Sequence, residues 1–221
     1  MLAIIPARSG SKRIKRKNVK LFRGKPIIAW IIKELKKNPL IKNIVVSSDD
    51  KKILKISEKF GSNISILRKK KISDNRTPFQ EVIKDVINKL NLKKNEDIIV
   101  LFPCSVFLKN YLINKAYKIF KKNKKKFIIG LGKYDHPIQR AYKIKNNKLF
   151  FFNSKYELKR TQDLEPSFYD AGQFYIGKCD IWRKKKVHSN SLGIILPKHS
   201  SIDIDTIEDW NFAEKISKLF L

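Results

Sequence analysis

A basic loop near the start of the chain has the composition of a phosphate-binding site. The segment IPARSGSKRIKRKN, residues 5–18, places Arg8, Lys12 and Lys17 around the small residues 9–11. Small residues let backbone N–H groups approach phosphate oxygens closely, and the cations neutralise the charge that builds on a leaving pyrophosphate. Neither GxxxxGK[ST] nor GxGxxG spacing is present. The segment therefore predicts a nucleoside triphosphate site, and the alternative is a solvated basic loop.

Two carboxylates near the end of the chain form a second chemical group. Asp203 and Asp205 lie two positions apart, so on an extended strand both side chains project from one face. Such hard oxygen donors suit Mg²⁺, which takes few protein carboxylates together with waters and phosphate oxygens. The alternative is a helix start, with Asp205 or Thr206 as N-cap and Glu208 or Asp209 in the first turn. The two roles are compatible.

Apolar runs and helical periods alternate along most of the chain, and they must position both groups. Strands are predicted at residues 2–5, 44–47, 64–67, 97–102, 127–131, 148–152, 173–176 and 192–196. Helices are predicted at residues 26–37, 50–60, 77–90, 111–121 and 206–219. The pattern indicates an α/β, Rossmann-like fold whose mostly parallel sheet carries helices on both faces. Such sheets bind ligands beyond the carboxyl ends of their strands.

The length fits a single domain, residues 1–221, and residues 133–170 read as an inserted cap or arm over the ligand edge. A five-residue apolar run before Pro6 is neither a signal peptide nor a membrane span. Two cysteines, Cys104 and Cys179, cannot make a disulfide framework, and we expect buried, inert thiols. These features predict a cytoplasmic protein with no membrane partner.

The net charge of +30 makes a nucleic-acid-binding protein the alternative from a different class. Only 9 of the 50 basic residues are arginine, however, and the chain holds 41 lysines, 32 isoleucines and 16 asparagines. An A/T-rich genome would produce that composition at tolerant positions, and arginine, which reads guanine and phosphate bidentately, is not enriched. We expect most of the charge to be solvated, the run at residues 121–126 included, and no specific nucleic acid as partner.

The basic loop closely resembles the motif IPARxGSKxxxxKN of the CMP-sialic acid synthetase group of cytidylyltransferases. VVSSDD at residues 45–50, LRKKKISDNRTP at 67–78 and IDIDTIEDW at 202–210 are similar to further motifs of that group. The resemblance spans the chain and implies the nucleotide-diphospho-sugar transferase type of fold. It also implies the reaction: the anomeric hydroxyl of a nonulosonic acid, an acidic nine-carbon sugar, attacks the α-phosphate of CTP with Mg²⁺, giving a CMP-sugar and pyrophosphate.

The resemblance assigns roles to residues that match the motifs. Contacts to the nucleotide are implied for Arg8, Ser11, Lys12, Lys17, Asn18 and Arg68. Arg8, Lys12, Lys17 and Asp203 are the implied catalytic residues: Lys12 or Lys17 would stabilise the transition state, and Asp203, acting through a metal-bound water, is the candidate proton acceptor. Magnesium ligation is implied for Asp203 and Asp205. Arg13, Lys15 and Arg16 fall at variable motif positions and are expected to be solvated.

Within this family the chain is most similar to the pseudaminic acid branch. HPIQRAY at residues 136–142, RTQDLEP at 160–166 and DAGQFYIGK at 170–178 carry that similarity, and FPCSVFL at 102–108 lacks the usual substrate-side glutamine. Sialic and legionaminic acid remain alternative substrates, and 3-deoxy-octulosonic acid is disfavoured because its glutamine-glycine-aspartate motif is absent. Sugar-side contacts are expected from Gln139, Arg140, Arg160, Gln162, Asp170 and Gln173.

Several of these side chains have a structural alternative. Arg140 or Arg160 could bind the sugar carboxylate bidentately, or could form ion pairs that pin the arm. Apolar residues 150–152 in the arm fit a homodimer interface, as the resemblance implies. The three histidines, His136, His188 and His199, have no metal-ligand spacing and are expected in loops or at the surface. Trp182 and Trp210 are expected in the core.

Overall fold

The computed structural model describes residues 1–74, 76–184, 186–189 and 191–221. The strands are β1 Leu2–Pro6, β2 Leu21–Phe22, β3 Lys25–Pro26, β4 Asn43–Ser48, β5 Ile64–Leu67, β6 Asp97–Leu101, β7 Phe127–Lys133, β8 Tyr142–Lys145, β9 Lys148–Phe151, β10 Phe168–Lys178 and β11 Ser191–Ile195. The α-helices are α1 Ile27–Lys36, α2 Lys51–Phe60, α3 Phe79–Lys89, α4 Asn110–Lys122, α5 Cys179–Lys184 and α6 Ile207–Phe220. In the described part of the chain, no helix has both the length and the apolar character needed to cross a membrane.

A seven-stranded sheet in the order β11-β7-β10-β6-β1-β4-β5 forms the centre of the fold. Strand β1 pairs in parallel with β4 on one side and with β6 on the other, and β4 pairs in parallel with β5. The predicted mostly parallel sheet is therefore confirmed. Because these four strands run the same way, the loops that follow them meet at one edge of the sheet.

Helices cover both faces of this sheet, as predicted. Neighbouring residues of β1 point to opposite faces, so Ile5 packs in the cluster that contains Ile28 and Leu112 from α1 and α4. Ile4 packs in the other cluster, with Ile83 from α3 and Trp182 from α5. Since both faces of β1 are buried, its sequence is an unbroken apolar run instead of an alternating one.

Strand β10 differs from the prediction in length and surroundings. It has 11 residues and pairs antiparallel with both β6 and β7. Its register with β7 shifts between Asp170 and Tyr175, where Gly172 has a positive φ of 59°. A bulge of this kind re-aims the side chains on either side of it. The short helix α5 that follows was not predicted.

The predicted arm contains a separate hairpin, β8–β9. Asn146 and Asn147 form its two-residue turn and both have positive φ, 49° and 59°, which is the backbone of a type I′ turn. Of its two strands, only β9 was predicted from the sequence. The hairpin exposes large apolar side chains, among them Ile144 at 72% and Leu149 at 64%.

The segment before α6 carries the two carboxylates without joining the sheet. Residues 202–205 are in no strand, so the spacing of Asp203 and Asp205 is not that of a sheet strand. The predicted helix start is confirmed: the Thr206 side chain accepts a hydrogen bond from the backbone N–H of Asp209, and the Asp209 carboxylate accepts from the backbone of Thr206. This capping box fixes where the helix begins, and thereby where the carboxylates lie.

Candidate functional site

A cleft of about 410 Å³ opens at the carboxyl edge of the sheet. Its walls come from the loops after β1, β5 and β6, from the middle of β10 and from the segment before α6. Nine of the residues selected from the sequence line it: Arg8, Ser11, Lys12, Lys17, Asn18, Arg68, Gln173, Asp203 and Asp205. The structure thus brings the basic loop and the two carboxylates, nearly 200 positions apart, into one cavity.

Asp49 holds the start of the basic loop. The backbone N–H and the hydroxyl of Ser9 donate to its two carboxylate oxygens, at 2.8 and 2.7 Å. Partial burial opposes ionisation of Asp49, but these hydrogen bonds outweigh it and keep the pKa below its ordinary value. The Asn18 side chain closes the same loop by donating to the carbonyl of Arg8, at 2.7 Å. Asp49 was not among the residues predicted from the sequence. Its position directly after a buried strand, which pairs with β1, was the signal that could have identified it.

Arg68 is the most buried cation of the cleft, with 5% of the residue exposed. Its Nε donates to the hydroxyl of Ser73 at 2.9 Å. Burial lowers the pKa of Arg68, and the negative charge of Asp49 acts in the opposite direction. The guanidinium is therefore held in place on one side while its residue lines the cleft, an arrangement suited to donating hydrogen bonds to a ligand oxygen.

Two cations of the basic loop converge on Asp205. Arg13 Nη2 lies 2.6 Å from one carboxylate oxygen and Lys17 Nζ lies 3.0 Å from the other, while Lys17 also donates to the carbonyl of Ile204 at 2.7 Å. Arg16 pairs with Asp50 at 3.7 Å. Arg13 and Arg16 are solvated as expected, with 66% and 50% of their side chains exposed, and in addition they form ion pairs with acidic residues that are distant in the sequence.

The carboxylate of Asp203 has different surroundings. Within the described ranges it forms no hydrogen bond and no ion pair, and it projects beside Gly172, where an added Cβ would lie 3.6 Å from Oδ2. The residue is exposed to the solvent of the cleft, but the surrounding walls partly desolvate its carboxylate. This desolvation and, second, the negative charge of Asp205 raise the pKa of Asp203.

This pair of carboxylates fits a magnesium site better than a site for a softer metal. Among the residues that the structure describes, no group of three or more His, Cys, Asp and Glu side chains could hold a metal ion. Magnesium needs only one or two protein carboxylates when phosphate oxygens and waters complete its shell, whereas structural zinc needs four protein ligands. The partnerless carboxylate of Asp203, with Asp205 two residues away, meets the first requirement.

Gln173 lies in the cleft wall but its amide is already engaged. Its Nε2 donates to the carbonyls of Ala171 and Ile202, at 2.9 and 3.0 Å, and only 3% of the residue is exposed. The side chain therefore ties β10 to the segment that carries Asp203. Asp170, near the bulge, accepts from the Tyr175 hydroxyl at 2.7 Å and from the Gly172 N–H at 3.0 Å, and His188 lies 3.5 Å from it.

Asp170 does not line the cleft, and neither do four other predicted sugar-side residues: Gln139, Arg140, Arg160 and Gln162. All four lie in the arm, where Gln139 Nε2 donates to the carbonyl of Glu165 at 2.9 Å and Arg160 Nε lies 3.0 Å from Asp163. Arg160 therefore forms the ion pair that was its structural alternative.

The cysteines and tryptophans lie where the sequence predicts them. Cys104 and Cys179 are buried and free, and burial raises the pKa of Cys104 to about 12, which makes its thiol inert. Trp182 and Trp210 are in the core, as predicted. His199 stacks on Phe220 at 4.0 Å between ring centroids. Phe79, Phe102 and Tyr175 line the cleft, although the sequence analysis selected none of them for a role.

Comparisons with known proteins point in one direction. The family model described as cytidylyltransferase matches residues 2–219. The chain is 34% identical to the pseudaminic acid cytidylyltransferase of Campylobacter jejuni, over 99% of this chain and 96% of that protein. It is 31% identical to the CMP-N,N'-diacetyllegionaminic acid synthase of Legionella pneumophila, over 99% and 97%. The solved structure of a CMP:2-keto-3-deoxy-manno-octonic acid synthetase complexed with CTP is similar at a TM-score of 0.72, with 13% identity, covering 100% of this chain and 99% of that one.

Lys12 and Lys17 of the basic loop should differ in their effect on stability. Lys17→Met removes a charged donor from both Asp205 and the Ile204 carbonyl, and we expect it to lower the free energy of unfolding by about 1–3 kcal/mol. Lys12→Met is the matched control, because Lys12 is exposed and should change stability by less than about 0.5 kcal/mol. Chemical denaturation at neutral pH measures both. Equal losses in the two variants would contradict a specific role of Lys17 in joining the loop to the segment before α6.

Proposed function

Because the chain belongs to the cytidylyltransferase family, we propose that it transfers CMP from CTP to the anomeric hydroxyl of a nonulosonic acid, with pseudaminic acid as the substrate. The observation that carries the proposal is the single cleft in which the basic loop meets two carboxylates. The full-length similarity to a pseudaminic acid cytidylyltransferase supports the choice of sugar.

The polar half of the cleft would bind the nucleotide. Arg8, Ser11 and Lys12 line it on the loop after β1, where they would hold the triphosphate. Arg68, after β5, would donate to the cytosine, and Asn18, which already supports the loop through Arg8, would lie near the ribose. Lys12 is exposed on this loop, so its ammonium group is free to move with the departing pyrophosphate and to stabilise the negative charge that develops there.

The chemical step forms one bond and breaks one. The anomeric hydroxyl oxygen bonds to the α-phosphorus, and the bond from that phosphorus to the bridging oxygen of the β-phosphate breaks, releasing pyrophosphate. Mg²⁺ held by Asp203 and Asp205 would supply positive charge at the phosphate. The hydroxyl proton must leave, and Asp203, whose pKa is raised by desolvation and by the charge of Asp205, is the candidate acceptor.

A substrate panel tests the proposed reaction. We expect pyrophosphate release from CTP with pseudaminic acid in the presence of Mg²⁺, with little release when ATP or GTP replaces CTP or when a chelator removes the metal. Release is measured by a coupled pyrophosphate assay, with the CMP-sugar identified by mass spectrometry. Faster turnover with N-acetylneuraminic acid would contradict the substrate, and no release with any nonulosonic acid would contradict the reaction.

Asp203→Asn should lower turnover without lowering the stability of the fold. The substitution is nearly isosteric and removes a charge that is partly desolvated and repelled by Asp205, so we expect the unfolding temperature at neutral pH to be unchanged or higher. Turnover should fall by about 100-fold or more, because a metal ligand and the candidate proton acceptor are lost together. Steady-state kinetics across magnesium concentrations and thermal unfolding measure the two effects. Wild-type turnover at every magnesium concentration would refute the assignment.

We further propose that the protein acts as a homodimer in the cytoplasm, with the β8–β9 hairpin at the subunit interface. The hairpin exposes Ile144 and Leu149, which a partner subunit would bury. The predicted sugar-side residues of the arm, Arg140 and Gln162 among them, do not line their own cleft. An arm that crosses to the second subunit would bring them toward the neighbouring cleft instead.

Molar mass in solution tests the dimer. Leu149→Glu places a charge in the proposed interface and should yield a monomer by light scattering, with reduced turnover. Leu219→Glu is the matched control, because Leu219 is also exposed, at 79%, but lies in α6. It should keep the wild-type mass. A monomeric wild type, or a dimeric Leu149→Glu variant, would overturn the interface.

A further inference from the structure

Three aromatic rings form a closed triangle in the cleft, which we call the aromatic wall: Phe79, Phe102 and Tyr175. The ring centroids of Phe79 and Tyr175 are 5.0 Å apart in a stacked arrangement. Phe102 meets Phe79 at 5.7 Å and Tyr175 at 6.0 Å, both edge to face. Phe79 begins α3, Phe102 directly follows β6 and Tyr175 lies in the second half of β10, so the wall is held by the sheet and by the start of α3.

Two polar groups that adjoin this wall, the hydroxyl of Tyr175 and the amide nitrogen of Gln173, are already bonded within the protein. The Tyr175 hydroxyl donates to Asp170 at 2.7 Å, and the Gln173 Nε2 donates to two backbone carbonyls. Burial and the hydrogen bond to Asp170 both raise the pKa of Tyr175, so this hydroxyl stays protonated. The wall therefore presents ring surface to a ligand, in contrast to the cations of the loop after β1.

The order of strands assigns the wall to the acceptor half of the cleft. Arg68 follows β5, whereas Phe102 follows β6 and Tyr175 belongs to β10, and these two strands lie on the other side of β1. Asp203 projects beside Gly172 of β10, on the same side as the wall. In the proposed reaction the nucleotide extends from Arg68 to the carboxylates of Asp203 and Asp205. The acceptor sugar attacks beside those carboxylates, and it must therefore lie against the aromatic wall.

We propose that Phe79, Phe102 and Tyr175 are specificity-determining residues that select an acceptor sugar rich in acetamido and methyl groups over one rich in hydroxyls. The inference rests on the proposed function and narrows its substrate class. Pseudaminic and diacetyllegionaminic acids carry a second acetamido group and a C9 methyl where N-acetylneuraminic acid carries hydroxyls. A hydroxyl placed against the rings loses water without gaining a partner, whereas a methyl group is favoured there. The wall distinguishes these substituents and leaves stereochemistry to other contacts.

Phe102→Gln tests the wall by placing an amide in the middle of it. The measurement is kcat/KM for pseudaminic, diacetyllegionaminic and N-acetylneuraminic acids, with the KM for CTP determined in parallel. We expect the wild type to prefer the better diacetamido acid by about 100-fold over N-acetylneuraminic acid. Phe102→Gln should reduce that ratio by about tenfold and leave the KM for CTP unchanged. Phe102→Leu, which stays apolar, should keep most of the preference.

The controls distinguish a failure of the wall's proposed role in specificity from a failure of the proposed reaction. Phe212→Gln makes the same exchange on the exposed side of α6, at a residue that is 55% exposed, and should keep the wild-type ratio. An unchanged ratio in Phe102→Gln, or a change confined to the KM for CTP, would overturn the wall's role while leaving the reaction intact. No pyrophosphate release by the wild type with any of the three acids would instead sink the proposed function, and the inference with it. If Phe102→Gln does not fold, Phe79→Gln carries the same comparison.

Discussion

The functional cleft depends on Lys17, which joins the two ends of the chain. Its ammonium group contacts the Ile204 carbonyl and the Asp205 carboxylate, 187 and 188 positions along the sequence. The contact fixes the basic loop against the segment before α6 and compensates the charge of Asp205. Desolvation and the charge of Asp205 raise the pKa of Asp203, although Lys17 and Arg13 act in the opposite direction. The two neighbouring carboxylates differ in their partners, because Asp205 is ion-paired with Lys17 and Arg13, whereas Asp203 forms no ion pair with either. A site can use this difference if one group balances charge and the other takes part in chemistry.

Most of the secondary structure follows from local sequence, and the exceptions have a common cause. Strand β5 and the helices capped by Asp50 and Gly61 or by Thr206 are set by apolar runs and by residues at their ends. Strand β10 could not be read this way, because its insertion between β6 and β7 is decided by contacts with distant strands. Strand β8 did have a local signal, the asparagine pair at residues 146–147, which is typical of a hairpin turn.

Site residues could be predicted from the sequence where the residue type itself indicates the chemistry. They could not be predicted where the role depends on contacts with residues that are distant in the sequence. Arg8, Lys12 and Asp203 were selected because cations and carboxylates suit phosphates and metals, and the structure places all three in the cleft. Asp49 was missed because its partner, Ser9, lies 40 positions away. Gln173 was selected as a ligand contact, but its amide is engaged by backbone carbonyls, which no sequence pattern indicates.

Strand β10 links the parts of the site that the proposed reaction needs. Its bulge places Gly172 beside the Asp203 carboxylate, and the next residue, Gln173, ties the strand to Ile202. Two positions further on, Tyr175 supplies one ring of the aromatic wall while its hydroxyl is bound to Asp170. Tyr175 itself pairs with Val100 of β6 and with Ile129 of β7, so the position of this ring is fixed by both neighbouring strands. A charged loop can adapt to a flexible triphosphate, but discrimination between a methyl and a hydroxyl group requires a surface that cannot rearrange, and the sheet provides it.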